Sequence, residues 1–209
     1  LAAIGVREIN LVAQDSNFWG KDLNGEETGG ARPRLDTLLR ALDEVEGLDW
    51  IRLLYLYPTE VTDELIEVLA GSRRVLPYVD VPLQHVSDRL LALMKRGSSE
   101  AVQRRLIERL REGIPGLTLR TTFLLGFPGE GEDDFERLCD FVREIRFDRL
   151  GAFRYSDEEG TAAYGLPDKV PRAVARERYQ QLMQIQREIM REKLESQVGE
   201  ESQVLVDDV

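Results

Sequence analysis

The amino-acid sequence predicts an α/β fold in which parallel strands alternate with helices. Short apolar and β-branched runs recur along the chain, and amphipathic segments with helical periodicity separate them. Crossovers between parallel strands are right-handed, so they wind successive strands in one direction. A barrel or partial barrel with its helices outside therefore fits the pattern better than a sandwich.

The predicted strands are short runs rich in apolar and β-branched residues. In chain order they lie at 8–14, 50–56, 75–83, 117–125 and 149–155. The fourth run breaks at Gly126 into a turn that also contains Pro128 and Gly129, and Pro58 stops the second. A loop rich in glycine and polar residues follows the first strand at 15–33.

The segments between the strands carry apolar residues at helical spacing. Thr62, Ser87 and either Ser98 or Ser99 stand where their side-chain oxygens can cap the second, third and fourth helices. Glycines stand near several helix ends, where a left-handed residue is often needed. The predicted helices lie at 35–45, 63–70, 88–95, 100–112, 132–146 and 170–198.

This pattern divides the chain into three parts. We predict a core domain at 1–169, a long charged helix at 170–198 that packs on the core or links it, and the start of another module at 199–209. The N-terminus lacks an initiator Met and the features of a signal peptide. It is typical of a helix entered midway, so we expect an N-terminal truncation.

Composition excludes several classes of function. The net charge is -11 at pH 7, so tight nonspecific binding to nucleic acid is not expected, whereas a basic partner would be attracted. No apolar run is long enough to cross a bilayer, and we expect a cytoplasmic protein without a membrane partner. The one cysteine, Cys139, excludes an internal disulfide and a cluster or zinc site built from this chain's thiolates. Its position on an apolar helix face predicts burial.

Polar residues gather where the predicted strands end. The carboxyl ends of parallel strands are where α/β folds place their ligands, so one rim should collect these residues. Walker A loops, nucleophile elbows and histidine pairs are missing from the sequence. The candidates are Gln14, Asp15, Tyr57, Thr59, Gln84, His85, Gly126 to Glu130, Tyr155 and Ser156.

Some candidates also have a purely structural interpretation. Gln14 and Asp15 can satisfy loop amides, and His85 taken alone is more often a structural hydrogen-bonding residue than a catalyst. Strand alternation places Arg120 on one face with Thr122. A buried strand contains Arg where an anion or carboxylate can pair with it, and a ligand carboxylate or a structural Asp or Glu fits equally well.

Seven motifs together resemble the methylthiotransferase branch of the radical S-adenosylmethionine (SAM) enzymes. The match covers nearly the whole chain. The motifs are Gln14-Asp15, Tyr57-Pro58-Thr59, Asp80 to His85, Met94 to Gly97, Arg120 to Glu130, Phe147 to Leu150, and Tyr155 to Thr161.

Within that branch the chain resembles the RimO-type enzymes, which methylthiolate an aspartate of ribosomal protein S-twelve of the small subunit. The MiaB-type relatives, which modify tRNA adenosine, usually have Ser at the position of Arg120 and a different pattern after Pro82. The acidic net charge agrees with a basic ribosomal protein as partner and makes tRNA a less suitable one. A non-catalytic scaffold that binds S-twelve is an alternative of another class.

The resemblance implies a partial radical-SAM (β/α) barrel that lacks its first strand, followed by the beginning of a C-terminal β-barrel (TRAM) domain. It implies SAM and two [4Fe-4S] clusters in the full-length protein, none of them ligated by this fragment, together with an electron donor and a sulfur source. A radical derived from SAM would remove hydrogen from the β-carbon of the target aspartate, so no residue here is expected to be catalytic or to bind metal. The fragment alone is expected to be inactive.

The resemblance also implies a SAM-binding wall. Gln14 and Asp15 would contact the methionyl amino group, and Gln84 and His85 the ribose or methionyl moiety. Arg120 would pair the carboxylate, with Thr122 beside it. The residues implied for contact with adenine or its surroundings are Gly126, Phe127, Pro128, Phe153 and Tyr155.

Overall fold

The computed structural model describes residues 1–23 and 33–206 and has one parallel five-stranded sheet at its centre. The strands are β1 (Glu8–Leu11), β2 (Trp50–Leu53), β3 (Val75–Asp80), β4 (Thr118–Leu125) and β5 (Arg149–Arg154). Their order in the sheet follows their order in the chain, so every crossover steps in the same direction and the sheet curls into half of a barrel. The predicted α/β class and partial barrel are confirmed.

Helices alternate with the strands, as the periodicity predicts. Within the described residues the α-helices are α1 (Leu35–Asp43), α2 (Asp63–Gly71), α3 (Asp88–Leu93), α4 (Glu100–Gly113), α5 (Glu132–Ile145) and α6 (Arg172–Ser196). Short 3₁₀ helices occur at Ala2–Ile4, Ser16–Phe18 and Pro58–Glu60.

Helix starts follow the capping signals at two of the three predicted positions. Thr62 Oγ1 accepts a hydrogen bond from the Leu65 N–H at 3.3 Å, and Ser99 Oγ accepts one from the Val102 N–H at 3.3 Å. Ser99 is therefore the residue that caps α4. Ser87 stands at the N-cap of α3 but makes no side-chain cap hydrogen bond.

The first three strands are shorter than the apolar runs suggest. β1 ends at Leu11, and residues 12–14 are exposed. β3 ends at Asp80, shortly before Pro82, which has no N–H to donate to a ladder. Pairing resumes in an isolated bridge between Gln84 and Phe123.

Alternation along β4 separates the apolar core from the other face of the sheet. Phe123 and Leu125 are fully buried beneath the helices, whereas Arg120, Thr122 and Leu124 are only partly buried. The Phe123 ring packs edge-on against the Phe147 ring with centroids 5.9 Å apart. The helices therefore cover one face of the sheet and leave the concave face accessible.

The long helix α6 packs on α5 and β5. Its buried face includes Leu182, Ile185 and Ile189, whereas Leu194 is 53% exposed. Gln186 lies in the same contact and donates from Nε2 to the Phe147 carbonyl at 3.0 Å. Helix α6 therefore packs on the core.

A buried ion pair joins α6 to the turn that follows β4. Arg178 Nη1 lies 2.7 Å from Glu130 Oε1, and the side chains are 8% and 0% exposed. The same Nη1 donates to the Glu130 carbonyl at 3.0 Å, and Nη2 donates to Glu132 Oε2 at 3.0 Å. Glu130 Oε2 in turn accepts the Gly126 N–H at 2.8 Å. The helix and the turn are therefore held by one connected set of bonds.

His85 lies in the same buried region. Its Nδ1 accepts hydrogen bonds from the N–H groups of Val86 at 2.9 Å and Ser87 at 3.0 Å, which places the ring proton on Nε2. Nε2 is 3.8 Å from Glu130 Oε2, too far for a hydrogen bond.

Burial lowers the pKa of His85 from 6.5 to about 4. The charges of Arg178 and Arg89 also lower this pKa, whereas the charge of Asp134 raises it. His85 is therefore neutral at pH 7.

The ends of the chain add little to this core. Residues 201–206 form no strand, and 207–209 lie outside the described residues, so the start of a further barrel stays a prediction. Part of the predicted loop at 15–33 also falls outside them. Among the residues described, no helix is both long and apolar enough to span a membrane.

Gly126 should tolerate a side chain poorly. Its φ is +73°, and an added Cβ would meet Ala175 Cβ of α6 at 2.5 Å. We expect Gly126→Ala to lower the free energy of unfolding by about 2–4 kcal/mol, because left-handed strain and overpacking add. Gly116→Ala is the matched control, since its φ is +69° but its Cβ would meet nothing within 4 Å. Equal losses for the two variants in urea unfolding would contradict the packing argument.

Stability should depend on pH through His85. Between pH 6.5 and about 4 the unfolded state binds a proton that the folded state does not, so stability falls as the pH falls through this window. The pKa shift corresponds to about 3 kcal/mol. We expect His85→Asn, which keeps an acceptor but does not titrate, to lose less stability than the native chain from pH 6.5 to 4.5. Urea unfolding across this range checks it, and parallel curves would refute it.

Candidate functional site

The concave face of the sheet, which points away from the helices, carries charged, polar and aromatic residues. Residues in register on neighbouring parallel strands point to the same side, and the register pairs Asp80 with Arg120, Thr122 with Gly151, and Leu124 with Phe153. These pairs form three layers: a floor of Asp80 and Arg120, a middle of Thr122 and Gly151, and a rim of Leu124 and Phe153. The rim lies at the carboxyl ends of β4 and β5, whereas β3 already ends at Asp80 in the floor.

Arg120 has a carboxylate partner within the chain. Its Nη1 lies 3.2 Å from Asp80 Oδ2, and the side chains are 34% and 1% exposed. Burial raises the pKa of Asp80, and the Arg120 charge and the Tyr55 N–H oppose that rise. Asp80 Oδ1 is buried and has no hydrogen-bond partner among the described residues. The sequence allows either a ligand carboxylate or a structural Asp or Glu as the partner of Arg120. The structure contains the second kind, Asp80.

Gln84 lies at the rim, where β3 meets β4. Its N–H donates to the Thr122 carbonyl at 2.9 Å, and its carbonyl accepts the Leu124 N–H at 2.8 Å. Its φ is +69°, a left-handed conformation that few residues other than glycine adopt. Backbone strain of this kind is often kept at functional positions. The half-buried Gln84 side chain is thereby held beside the rim.

The turn after β4 supports the rim from behind. Gly126, Phe127 and Pro128 are buried, and the Phe127 ring packs edge-on against the Tyr155 ring with centroids 5.3 Å apart. Because Gly126 also touches α6, this turn contacts the helix rather than opening into the concave face. His85 is likewise fully buried behind the rim. These four residues therefore support the rim from the side that faces the helices.

The loop after β5 is organised by Lys169. Its Nζ donates to Asp157 Oδ1, to the Ala163 carbonyl at 3.0 Å and to the Tyr164 carbonyl at 2.9 Å. It also lies 5.6 Å from the centroid of the Tyr155 ring. Tyr155 donates from its hydroxyl to Asp157 Oδ1 at 2.9 Å. Tyr155 therefore belongs to a fixed loop at the rim.

Gln14 and Asp15 differ in whether their side chains are free to contact a ligand. Gln14 is exposed, whereas Asp15 Oδ1 accepts the Asn17 N–H at 3.0 Å and caps the helix Ser16–Phe18. Asp15 therefore makes the hydrogen bond to a loop amide that its structural interpretation predicts. Tyr57 is similarly engaged, because its hydroxyl accepts the Gly97 N–H at 3.2 Å.

The structure brings only part of the predicted set together on one surface. Gln84, Thr122 and Phe153 share the rim and middle of the concave face, with Arg120 beneath them. Sequence reasoning missed Arg178 and Lys169, because charged residues in a charged helix and an acidic loop look solvent-exposed. The partner of Arg178 lies 48 residues away, and no local pattern signals it.

One cavity lies away from the strand ends. It has a volume of about 540 Å³ and sits between α2 and α4, lined by Asp63, Ile66, Arg109 and Glu112 among others. Arg109 Nη2 pairs with Asp63 Oδ1 there at 2.6 Å, side chains 37% and 82% exposed. Such a solvated ion pair does not indicate chemistry, so the concave face remains the candidate site.

Curated relatives match almost the whole chain. It is 50% identical over 207 residues to a ribosomal protein uS12 methylthiotransferase RimO of Sorangium cellulosum (strain So ce56) and 53% identical over 207 residues to one of Aquifex aeolicus (strain VF5). These alignments cover 99% of this chain but 42% and 46% of the two relatives. The chain therefore spans less than half of the length of these relatives.

Solved structures share the fold at low identity. Coproporphyrinogen III oxidase (HemN) from Escherichia coli, described as a radical SAM enzyme, matches with a TM-score of 0.57 at 19% identity over 78% of this chain and 38% of that one. The radical SAM methyltransferase TsrM from Kitasatospora setae matches with a TM-score of 0.54 at 20% identity over 73% of this chain and 28% of that one.

The family assignment rests on sequence and fold together. Residues 3–142, more than half of the chain, match the model of the radical SAM superfamily. The half-barrel of parallel strands agrees with that match, as does the resemblance seen in the sequence motifs. The chain belongs to the radical SAM superfamily, which implies SAM and a [4Fe-4S] cluster as cofactors.

Proposed function

We propose that this chain is the SAM-binding core of an enzyme that methylthiolates the β-carbon of an aspartate in ribosomal protein uS12. The observation that carries the proposal is the identity of about one half, over 99% of the chain, to relatives named for that activity. The net charge of -11 supports a basic protein partner. The same charge disfavours the tRNA-modifying alternative, and membership of an enzyme superfamily disfavours a scaffold.

The residues of the concave face fit SAM. The rim offers the Gln84 amide and the Phe153 ring, which is 66% exposed, and Thr122 adds a hydroxyl below them. An exposed aromatic ring with a few polar groups suits an adenosine. We assign Gln14 and Tyr155 to the edges of this surface, and Asp15, His85 and Gly126 to Pro128 to its support. SAM supplies radical chemistry that can break an unactivated C–H bond, so these residues bind and orient rather than act as nucleophiles.

The described residues do not fit an iron–sulfur cluster. They contain no group of three or more His, Cys, Asp or Glu side chains able to hold a metal ion. Cys139 is buried, and burial raises its pKa to about 11, which keeps the thiol protonated. We therefore propose that the cysteines for two [4Fe-4S] clusters are supplied from outside this segment, with an electron donor and a sulfur source as further partners. A cytoplasmic location suits a ribosomal-protein substrate.

The function can be tested in a chimera in which this chain replaces the matching segment of the Aquifex aeolicus relative. Expressed in a host without the endogenous activity, the chimera should add a methylthio group to one aspartate of uS12, detected by mass spectrometry of the intact protein and its peptides. A uS12 variant with Asn at that aspartate is the control and should stay unmodified. Modified tRNA adenosine with unmodified uS12 would contradict the proposal.

The chain by itself should not assemble a cluster. After anaerobic treatment with iron and sulfide we expect neither [4Fe-4S] absorption nor reductive SAM cleavage, because the one thiol is buried and protonated. A Cys139→Ala variant is the matched control and should behave identically. A cluster spectrum in the native chain that disappears in this variant would show that the thiol is a ligand.

A further inference from the structure

We propose that Arg120, oriented by Asp80, binds the side-chain carboxylate of the aspartate that is modified, and is thus a specificity-determining residue. The inference rests on the proposed function and deepens it. The chemistry is recognition of a carboxylate by a guanidinium. The methionyl carboxylate of SAM is the other possible source of that group, and the experiment separates the two.

Arg120 has donors left for a ligand. A guanidinium carries five N–H donors in a rigid fork, and the one hydrogen bond of the Arg120 side chain within the described residues is from Nη1 to Asp80 Oδ2 at 3.2 Å. About a third of the side chain is exposed. Such a fork can hold one carboxylate while presenting two further donors to another.

Asp80 is the fixed half of the pair. It is fully buried, receives the Tyr55 N–H at 3.4 Å through Oδ2, and leaves Oδ1 without a partner in the described structure. This buried carboxylate holds one end of the Arg120 guanidinium. Because Asp80 is buried, a ligand on the concave face meets the Arg120 guanidinium and not the carboxylate behind it.

The layers above Arg120 leave a path to it. The middle layer consists of Thr122 and Gly151, which are small, and an added Cβ at Gly151 would meet only Thr122 Oγ1, at 3.6 Å. Larger side chains, Leu124 and Phe153, stand at the rim. Four residue steps along β4 lead from Arg120 to Leu124, which corresponds to roughly 13 Å. On the β3 side Arg120 is level with Asp80, the last residue of that strand, so a short side chain can reach the guanidinium there.

Arg120 stands apart from the residues proposed to contact SAM, so it is left for a second ligand, the target aspartate. The rim residues are the ones proposed to contact SAM, and Arg120 lies two layers below them. In an aspartate the β-carbon is bonded directly to the carboxylate carbon, so holding the carboxylate on Arg120 fixes the reacting carbon one bond away, between the floor and the rim. Orientation of that kind is a large part of what an enzyme contributes to a reaction of a bound radical.

A second arginine on the same face serves as a control. Arg52 Nε pairs with Glu8 Oε1 at 3.0 Å, and its guanidinium carbon lies 4.5 Å from the centroid of the Tyr78 ring, which covers one side of it. Tyr78 precedes Asp80 by two residues on β3, so Arg52 lies deeper than Arg120. Arg52→Gln removes the same charge from the same face without touching the proposed contact.

The test compares binding in the complete enzyme, with the chimera described above as its source. Dissociation constants are measured for SAM and for two uS12 peptides, one with the target Asp and one with Asn in its place. For Arg120→Gln we expect the Asp peptide to bind about 10–100-fold more weakly, the Asn peptide to change little and SAM affinity to stay within about 3-fold, because a charge-assisted contact is lost from one ligand only. Arg120→Lys, which keeps the charge, should recover part of the loss, and Arg52→Gln should leave the Asp-to-Asn preference intact.

The outcomes are distinguishable. A fall in SAM affinity with an unchanged Asp-to-Asn preference would assign Arg120 to the SAM carboxylate and overturn the inference. No change in either ligand would make the Arg120–Asp80 pair purely structural and would overturn it as well. Should Arg120→Gln fail to fold in a thermal melt, the Asp-to-Asn ratio of Arg120→Lys decides. If the native enzyme binds neither peptide and modifies no uS12, the proposed function itself fails.

Discussion

The arrangement of the rim depends on the buried ion pair between Glu130 and Arg178. Burying two charges is costly, and such a pair is favourable only when its remaining polar atoms are satisfied. Here Arg178 also holds the Glu130 carbonyl and Glu132, and Glu130 also holds the Gly126 N–H, which leaves Arg178 Nε as the one buried polar atom of the two side chains without a partner among the described residues. Removing either partner would leave an uncompensated charge in the core, so α6 and the turn after β4 keep one fixed relation.

With α6 fixed against the turn after β4, one face of the sheet is apolar and the other is polar. On the helix side, Phe123, Phe147 and the buried apolar residues of α6 (Leu182, Ile185 and Ile189) exclude water and set the distance between α6 and β4. On the concave side, the pairs Arg52–Glu8 and Arg120–Asp80 keep charged groups at defined heights. A closed apolar interior would fill the half-barrel, whereas paired charges leave it polar and open to a ligand.

Much of the fold follows from local patterns in the sequence. The alternation of β4, the caps Thr62 and Ser99, and the burial of Cys139 were predictable, because each depends on a few neighbouring residues. The site was predictable only in part. The burial of His85 depends on Glu130 and Arg178, which lie far from it in sequence and bring no periodic signal. The strand ends shifted for a similar reason, since tertiary contacts decide where a ladder stops.

The residue that sequence reasoning left most open, Arg120, shows why a structural partner does not exclude a functional role. Arg178 is 8% exposed and divides its contacts among three oxygens, so nothing can approach it. Arg120 uses one donor on a carboxylate that is buried, and a third of its side chain remains accessible. Pairing that fixes a guanidinium without exhausting its donors prepares it for a second anion, because the entropy of ordering the side chain has already been lost on folding. The ion pair with Asp80 is therefore better understood as preorganisation than as an alternative to binding.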